Sequence, residues 1–244
     1  MPLNIKEFES KVLKVKQETQ EIKSFRFLVP ADFSYKPAQH IALELNLNGK
    51  AQIKSFSIAS SPLQKGYIEI AKRIGESEYS QKLMKLEQGD TVKIKGPYGM
   101  FLLQEDKDAV MLSGGIGITP LRDMIQYATE KKLPIKITLI FSNKTPEEIP
   151  YKQEFDELQK KNQNLKVIHT ITRPEESKES TEAKWKGLVG HIDADMIKKH
   201  ASNYTAAIFY ICGPPGMVNA MLEILKQMEI PAERIKIERF TGYP

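Results

Sequence analysis

Lys54, Phe56 and Ser57 place a cation, a flat ring and a hydroxyl within four positions of the chain. In an extended strand Lys54 and Phe56 share one face and Ser57 takes the other, because side chains alternate. A strand that only filled a core would carry branched apolar residues on its inner face. The stretch "IKSFSIAS" (Ile53–Ser60) instead suits a ligand with an anionic group and an aromatic ring.

A second chemical feature is "LSGGIGITPL" (Leu112–Leu121). Gly114, Gly115 and Gly117 let the backbone turn sharply and approach a ligand closely. Thr119 reads as the N-cap of the helix that follows, with Pro120 in its first turn. Exposed N–H groups and the helix dipole at such a turn favour a phosphate. The turn is of dinucleotide type without being GxGxxG. A third feature is "CGPPGM", with Cys212, Gly213, Pro214 and Met217 at the end of an apolar run. Open parallel sheets bind ligands at the carboxyl ends of their strands.

The elements around these residues divide the chain in two. Up to about residue 104 they read as strands: Phe25–Val29, "HIALELNL" with strict alternation, the Asn48-Gly49 hairpin signal, the Ile53–Ser60 strand, Tyr67–Arg73 and Thr91–Gly96. "SQKLMKLEQG" reads as a short helix with Gly89 as its C-cap. Short antiparallel strands with one helix indicate a small closed barrel. From residue 105 strands and helices alternate, which indicates a parallel sheet covered on both faces. The expected division is therefore 1–104, a β-barrel domain, and 105–244, an α/β domain, with the break in "QEDKD" (Gln104–Asp108). The polar segment Arg173–Gly187 reads as a mobile surface loop.

Composition narrows the classes. The 244 residues are 41% hydrophobic and 27% charged, as in a soluble globular protein. No apolar run is long enough to cross a bilayer, and the N-terminus has no hydrophobic signal core, so a cytoplasmic location is expected. A lone cysteine, Cys212, excludes a disulfide framework and a cysteine-ligated iron–sulfur cluster in this chain. The four histidines lack metal-ligand spacing, so no metal is expected. The net charge of +5 fits a lysine-rich surface or an acidic partner. No dense basic run with interleaved aromatics points to nucleic acid.

Taken in order, "KSFSIASSP", "GPYGMF", "GGIGITPL", "CGPPGM" and "ERFTGY" resemble the ferredoxin–NADP reductase family of flavoproteins. The resemblance spans nearly the whole chain. It implies an antiparallel barrel that binds FAD, with FMN as the fallback, followed by a domain for NADPH or NADH. It places Lys54 at a flavin phosphate, Phe56 on the isoalloxazine, Ser57 at flavin N5 and Ile58 beside them. Lysine in place of the family's arginine keeps the charge and loses the bidentate fork. Phenylalanine in place of tyrosine keeps the stacking face and loses the phenol. Lys72, Arg73, Gly75 and Ser80 fall where the family binds flavin phosphates. His40 is treated as structural.

The implied reaction is hydride transfer from a reduced nicotinamide to FAD, then one-electron release. By resemblance, Ser57, Cys212 and Glu238 lie near the meeting point of the rings, and Phe240 covers the flavin face, with Tyr243 as a rival. The second parallel strand ends in Ser142, Asn143 and Lys144 with no acid until Glu147, and Arg173 falls where relatives contact a 2′-phosphate. That gives a slight lean toward NADPH. A separate acidic carrier, ferredoxin or flavodoxin, is the expected partner of a monomer, with Lys36 and Lys65 as candidates for its basic docking face. A reductase of free flavin and a non-catalytic nucleotide-binding subunit are the alternatives.

Overall fold

The computed structural model describes residues 4–177 and 185–240. Strands β1 (Lys6–Thr19), β2 (Ile22–Leu28), β3 (His40–Leu47), β4 (Lys50–Ser57), β5 (Tyr67–Arg73) and β6 (Thr91–Tyr98) form an antiparallel sheet in the order β4-β3-β6-β1-β2-β5. The alternation of β3 is realised: Ile41, Leu43, Leu45 and Leu47 are buried against Phe25, Phe27, Ile68, Ile70 and Ile94. Each such side chain contributes about 1.5–3 kcal/mol of burial. The β3–β4 hairpin turns on Asn48 and Gly49, both at positive φ (53° and 84°), the backbone that the Asn-Gly pair supplies.

The structure departs from the sequence pattern at three points. Strand β1, which pairs with β6 through Lys11 and with β2 from Val12, is absent from the sequence reading. Its lysines face solvent and only Ser10 and Val12 are buried, so it carries little apolar pattern. The Ile53–Ser60 strand instead starts at Lys50 and ends at Ser57. There Ile58 donates its N–H to Gln39 O (2.9 Å) and Ala59 donates to Glu69 O (2.7 Å), so the chain leaves β3 and crosses to β5. That crossing is how the sheet curls round, because β4 and β5 form no ladder with each other. Finally, the helix α1 spans Glu78–Met84 with Ser77 as its N-cap, and Gly89 lies beyond it in the turn before β6.

The second layer is β7 (Ala109–Gly114), α2 (Ile118–Glu130), β8 (Ile137–Asn143), α3 (Lys152–Lys161), β9 (Leu165–Ile171), β10 (Leu188–Val189), α4 (Ala194–His200), β11 (Ile208–Gly213), α5 (Pro215–Gln227) and β12 (Ile235–Arg239). Its sheet is parallel, in the order β10-β9-β8-β7-β11-β12. Every residue of β7 and of β11 is buried, as strands covered on both faces must be. Strand order reverses between β7 and β11, and the glycine turn and Cys212 sit at their carboxyl ends.

The two sheets meet along α2 and the 99–108 connection, where Phe101 packs edge-on against Tyr210 (5.7 Å). Of the Arg173–Gly187 segment, Pro174–Glu176 forms a 3-10 turn and Trp185 donates Nε1–H to Leu188 O. Residues 178–184 lie outside the described residues. No helix among the described residues is long and apolar enough to cross a membrane.

Candidate active site

Where β4 and β5 part, a cleft opens that both domains line. Lys54, Phe56, Ser57, Ala71 and Lys72 come from the barrel strands, Ser77 and Tyr79 from the N-cap and first turn of α1, and Ile116, Thr119, Glu238, Arg239 and Phe240 from the second domain. Phe56 stacks on Tyr79 (6.2 Å between centroids, 22° between planes), whose hydroxyl donates to Leu43 O. Phe56 and Ser57 are both buried although they point to opposite faces, because the barrel core covers one and the second domain the other. Ile58, fully buried, belongs to the barrel core.

The centre of the cleft joins residues far apart in sequence. Ser57 donates its hydroxyl proton to Glu238 Oε1 (3.2 Å). Glu238 lies opposite Cys212 in the β11–β12 ladder, and Cys212 lies opposite Ser113 in the β7–β11 ladder. Burial pushes the Glu238 carboxyl up to about 7, against a smaller lowering by the Ser57 hydrogen bond. Its Oε2 is buried without a hydrogen-bond partner. Burial, followed by the neighbouring Glu238, raises the Cys212 thiol well above its ordinary range. Cys212 is therefore a neutral thiol at pH 7.

The glycine turn is a 3-10 turn, Gly115–Gly117, and this displaces the expected cap. Helix α2 begins at Ile118 with Gly117 as N-cap, and Thr119 donates its hydroxyl to Ile116 O (3.2 Å) from inside the first turn. Pro120 is buried in that turn, as expected. Met217 lies over the turn: a Cβ on Gly114 would meet its sulfur at 2.5 Å and one on Gly213 at 3.0 Å. Pro214 caps α5, and Phe240 donates its N–H to Gly213 O (3.2 Å), which carries its ring to the cleft. Tyr243 lies outside the described residues.

Several expected residues stand elsewhere. Arg73 pairs with Glu21 (2.6 Å) and Glu148 (3.5 Å) and does not line the cleft. Ser80 is buried and accepts the Gly75 N–H (2.9 Å), while its neighbour Ser77 lines the cleft. Ser142 and the buried Asn143 end β8, and both polar atoms of the Asn143 side chain lack partners. Arg173, half exposed, pairs with Glu176 (3.0 Å). Lys36 and Lys65 line a separate groove with Leu63, Leu102, Leu103 and Tyr127, which shares no residue with the cleft. Sequence reasoning missed Ser77, Tyr79 and Arg239. It also set aside His40, which lines the cleft and stacks on Tyr98 (5.7 Å). The helical spacing of Tyr79 and Leu83 was the available signal for Tyr79.

The cleft fits a flavin nucleotide. It offers a stacked aromatic pair, a hydroxyl and a carboxyl oxygen without a partner. Burial, followed by repulsion from Arg73 and Lys54, pushes the Lys72 ammonium down to about 8. A bound phosphate would relieve that repulsion.

Comparison with known proteins agrees with this geometry. The family described as "Oxidoreductase FAD-binding domain" matches residues 9–102, and "Oxidoreductase NAD-binding domain" matches residues 111–223. The chain is 32% identical over 235 residues to NADH-cytochrome b5 reductase 1 of Aspergillus oryzae, covering 90% of this chain and 78% of that protein. It is 28% identical over 238 residues to the glycine betaine monooxygenase reductase subunit of Chromohalobacter salexigens, covering 95% of this chain but only 64% of that protein's length. In fold it is similar to the cytochrome b5 reductase domain of Ulva prolifera nitrate reductase (TM-score 0.82, 22% identity, 96% and 97% of the two chains). It is also similar to a ferredoxin NADP+ reductase of Neisseria gonorrhoeae crystallised with FAD and NADP (TM-score 0.80, 22% identity, 96% and 98%). An antiparallel flavin barrel, a parallel nucleotide sheet and matches to both domains lead to one assignment: the chain belongs to the ferredoxin–NADP reductase family of FAD-dependent NAD(P)H oxidoreductases.

Proposed function

We propose that the protein transfers a hydride from NADH to FAD in the cleft and passes the electrons singly to a separate protein carrier. The observation that carries this reading is the Ser57–Glu238 hydrogen bond at 3.2 Å, which joins the flavin-side strand to the nucleotide-side sheet beside Cys212. Bound FAD supplies the conversion from two-electron to one-electron chemistry. Lys54 and Lys72 neutralise its phosphates, Phe56 supports its ring, and the Ser57 hydroxyl orients its reacting edge. The turn at Gly114, Gly115 and Gly117 and the start of α5 at Pro214 receive the dinucleotide at helix N-termini. Phe240 shields the ring face until the nicotinamide takes its place.

NADH is the proposed donor. Arg173, the residue that favours NADPH in the sequence, is engaged by Glu176, and Glu147, Glu148 and Glu175 stand in the adjoining 3-10 turns. A 2′-phosphate at Arg173 would compete with Glu176 for the guanidinium. The test is anaerobic stopped-flow reduction of the bound flavin. NADH should exceed NADPH by about tenfold or more in kcat/KM, the equivalent of one ~1.4 kcal/mol charge contact. Equal rates, or a preference for NADPH, would overturn the choice of donor; no reduction by either would overturn the function.

Replacing Cys212 by alanine should slow flavin reduction about tenfold while nucleotide Kd changes less than about twofold, because the neutral thiol spaces the two rings rather than binding either. An unchanged rate would make Cys212 a packing residue.

The proposed carrier is a small acidic one-electron protein, a ferredoxin, a flavodoxin or a cytochrome b5-like haem protein. The net charge of +5 suits such a partner, and the named relatives serve cytochrome b5 and a monooxygenase. Raising ionic strength from about 0.01 to 0.15 M shortens the Debye length from about 30 to 8 Å. Carrier reduction should then slow about tenfold, with flavin reduction by NADH unchanged. Indifference to salt would favour free flavin or another small acceptor.

A further inference from the structure

Helix α2 packs Ile118, Leu121, Met124, Ile125 and Ala128 into an apolar core, yet the residues it turns to the barrel backbone are polar. Asp123 accepts the Ala38 N–H (2.7 Å), Gln126 accepts the Ser61 N–H (3.1 Å), and Arg122 donates to Ala59 O (2.6 Å). All three grip barrel backbone, and two grip the Ala59–Ser61 stretch that continues from Ser57. Arg122 does the most. It is 3% exposed, donates to Glu69 Oε1 (3.0 Å), makes a two-pronged contact with Glu154 (2.9 and 2.7 Å) and lies over the Tyr151 ring (4.1 Å). Glu69 is also bound by Arg26 (2.7 Å). The guanidinium thus spans the place where the barrel crosses from β4 to β5, at the Ala59–Glu69 hydrogen bond. It ties that seam to α2 and α3.

A buried charge cluster is a poor source of stability, since well-packed apolar residues commonly serve as well or better. What a planar, fixed fork supplies is geometry. Two residues upstream of Ala59 stands Ser57, three downstream of Glu69 stands Lys72, and at the start of α2 stands the glycine turn. Resting on the hydride-transfer reading above, we infer that Arg122 is a positioning residue: its bonds to Ala59 and Glu69 set the distance at which the flavin-binding seam faces the nucleotide turn and Glu238.

Two variants test this. Arg122→Met combined with Glu69→Gln removes the buried pair without leaving a bare buried charge, and Arg26 and Glu154 both reach solvent. Arg122→Lys keeps the charge but cannot reach Ala59, Glu69 and Glu154 together. Both should fold and retain flavin, and should bind nucleotide with Kd within about threefold of wild type. Their flavin reduction should be slower by tenfold or more, since misplacement of about 1 Å can cost about 100-fold. The change should fall in kcat and not in KM. A second readout needs no turnover: at saturating oxidised nucleotide, the flavin difference spectrum that reports ring stacking should lose amplitude. A folded variant with wild-type reduction and spectrum would overturn the inference. Rate loss that merely tracks lost flavin or lost nucleotide affinity would overturn it too, as would failure of both variants to fold, which would make Arg122 a folding residue. If the wild-type protein is itself not reduced by either nucleotide, the hydride-transfer reading falls and this inference with it.

Discussion

Gly117→Ala should slow reduction of the bound flavin by about 100-fold or more while the protein keeps its flavin. Gly117 has φ near −60°, so alanine meets no backbone strain there. The effect is one of space. A Cβ on Gly117 would run into the Cys212 carbonyl and the Gly213 Cα, and these are backbone atoms fixed in the β7–β11 and β11–β12 ladders. They cannot rotate away as a side chain could. The start of α2 must therefore move off β11, and overpacking of this kind costs about 1–3 kcal/mol. The same motion displaces the nucleotide turn from Cys212 and Glu238. Gly115→Ala is the control. Its positive φ (53°) carries a conformational cost of about 1–2 kcal/mol, but its Cβ would meet only the Arg73 guanidinium at 3.4 Å, a side-chain end that can give. Single-turnover reduction by NADH, with flavin content and thermal melting measured alongside, separates the two. Reduction of the Gly117 variant within about threefold of wild type would remove the turn from the reacting geometry.

What the sequence discloses about this architecture depends on how local the cause is. The alternation of β3, the Asn48-Gly49 turn and the strand–glycine–helix passage around Gly114 are each fixed by neighbours in the chain, and each stands where the pattern puts it. Strand β1 is set by its neighbours in space, β6 and β2, and its exposed lysines hide it. The end of β4 is set by Gln39 and Glu69, which no window around Ser57 contains. The same limit applies to the site. Lys54, Phe56 and Ser57 attract attention by their types, and the structure brings them together with Glu238 and Phe240 around one cleft, with Cys212 buried behind Glu238 in the β11–β12 ladder. Arg73 and Ser80 have equally suggestive types, but Glu21, Glu148 and the Gly75 amide engage them. The Ser57–Glu238 bond spans 181 residues and follows from the ladder register of β11 with β12. Arg122 lies within a mostly buried helix, where nothing local in the sequence distinguishes a buried clamp from a surface cation.

Glu238→Gln should abolish a fall in stability between pH 5 and pH 8 that the wild-type protein displays. Burial raises the Glu238 carboxyl from its ordinary 4.5 to about 7, the Ser57 hydrogen bond offsetting only part of the shift. Below about pH 4.5 the group is protonated in the folded and unfolded chains alike, and burial carries no charge penalty. As pH rises toward 7 the unfolded chain releases its proton freely while the folded chain retains it, so folding becomes less favourable. Above about 7 the folded carboxyl ionises too, and the loss is complete. A rise from 4.5 to about 7 makes the full loss on the order of 3 kcal/mol, at about 1.36 kcal/mol for each tenfold change in proton affinity. Glutamine keeps a carbonyl oxygen for the Ser57 hydroxyl and has no charge to bury. His40, whose ring burial lowers its affinity for protons, works in the opposite direction, since its contribution is lost as pH falls. The difference between wild type and Glu238→Gln therefore isolates Glu238. Denaturant midpoints at pH 5, 6, 7 and 8 measure it, and parallel pH profiles for the two proteins would mean that Glu238 is already ionised at pH 5. In that case the carboxylate would face the cleft as a fixed negative charge beside the Ser57 hydroxyl.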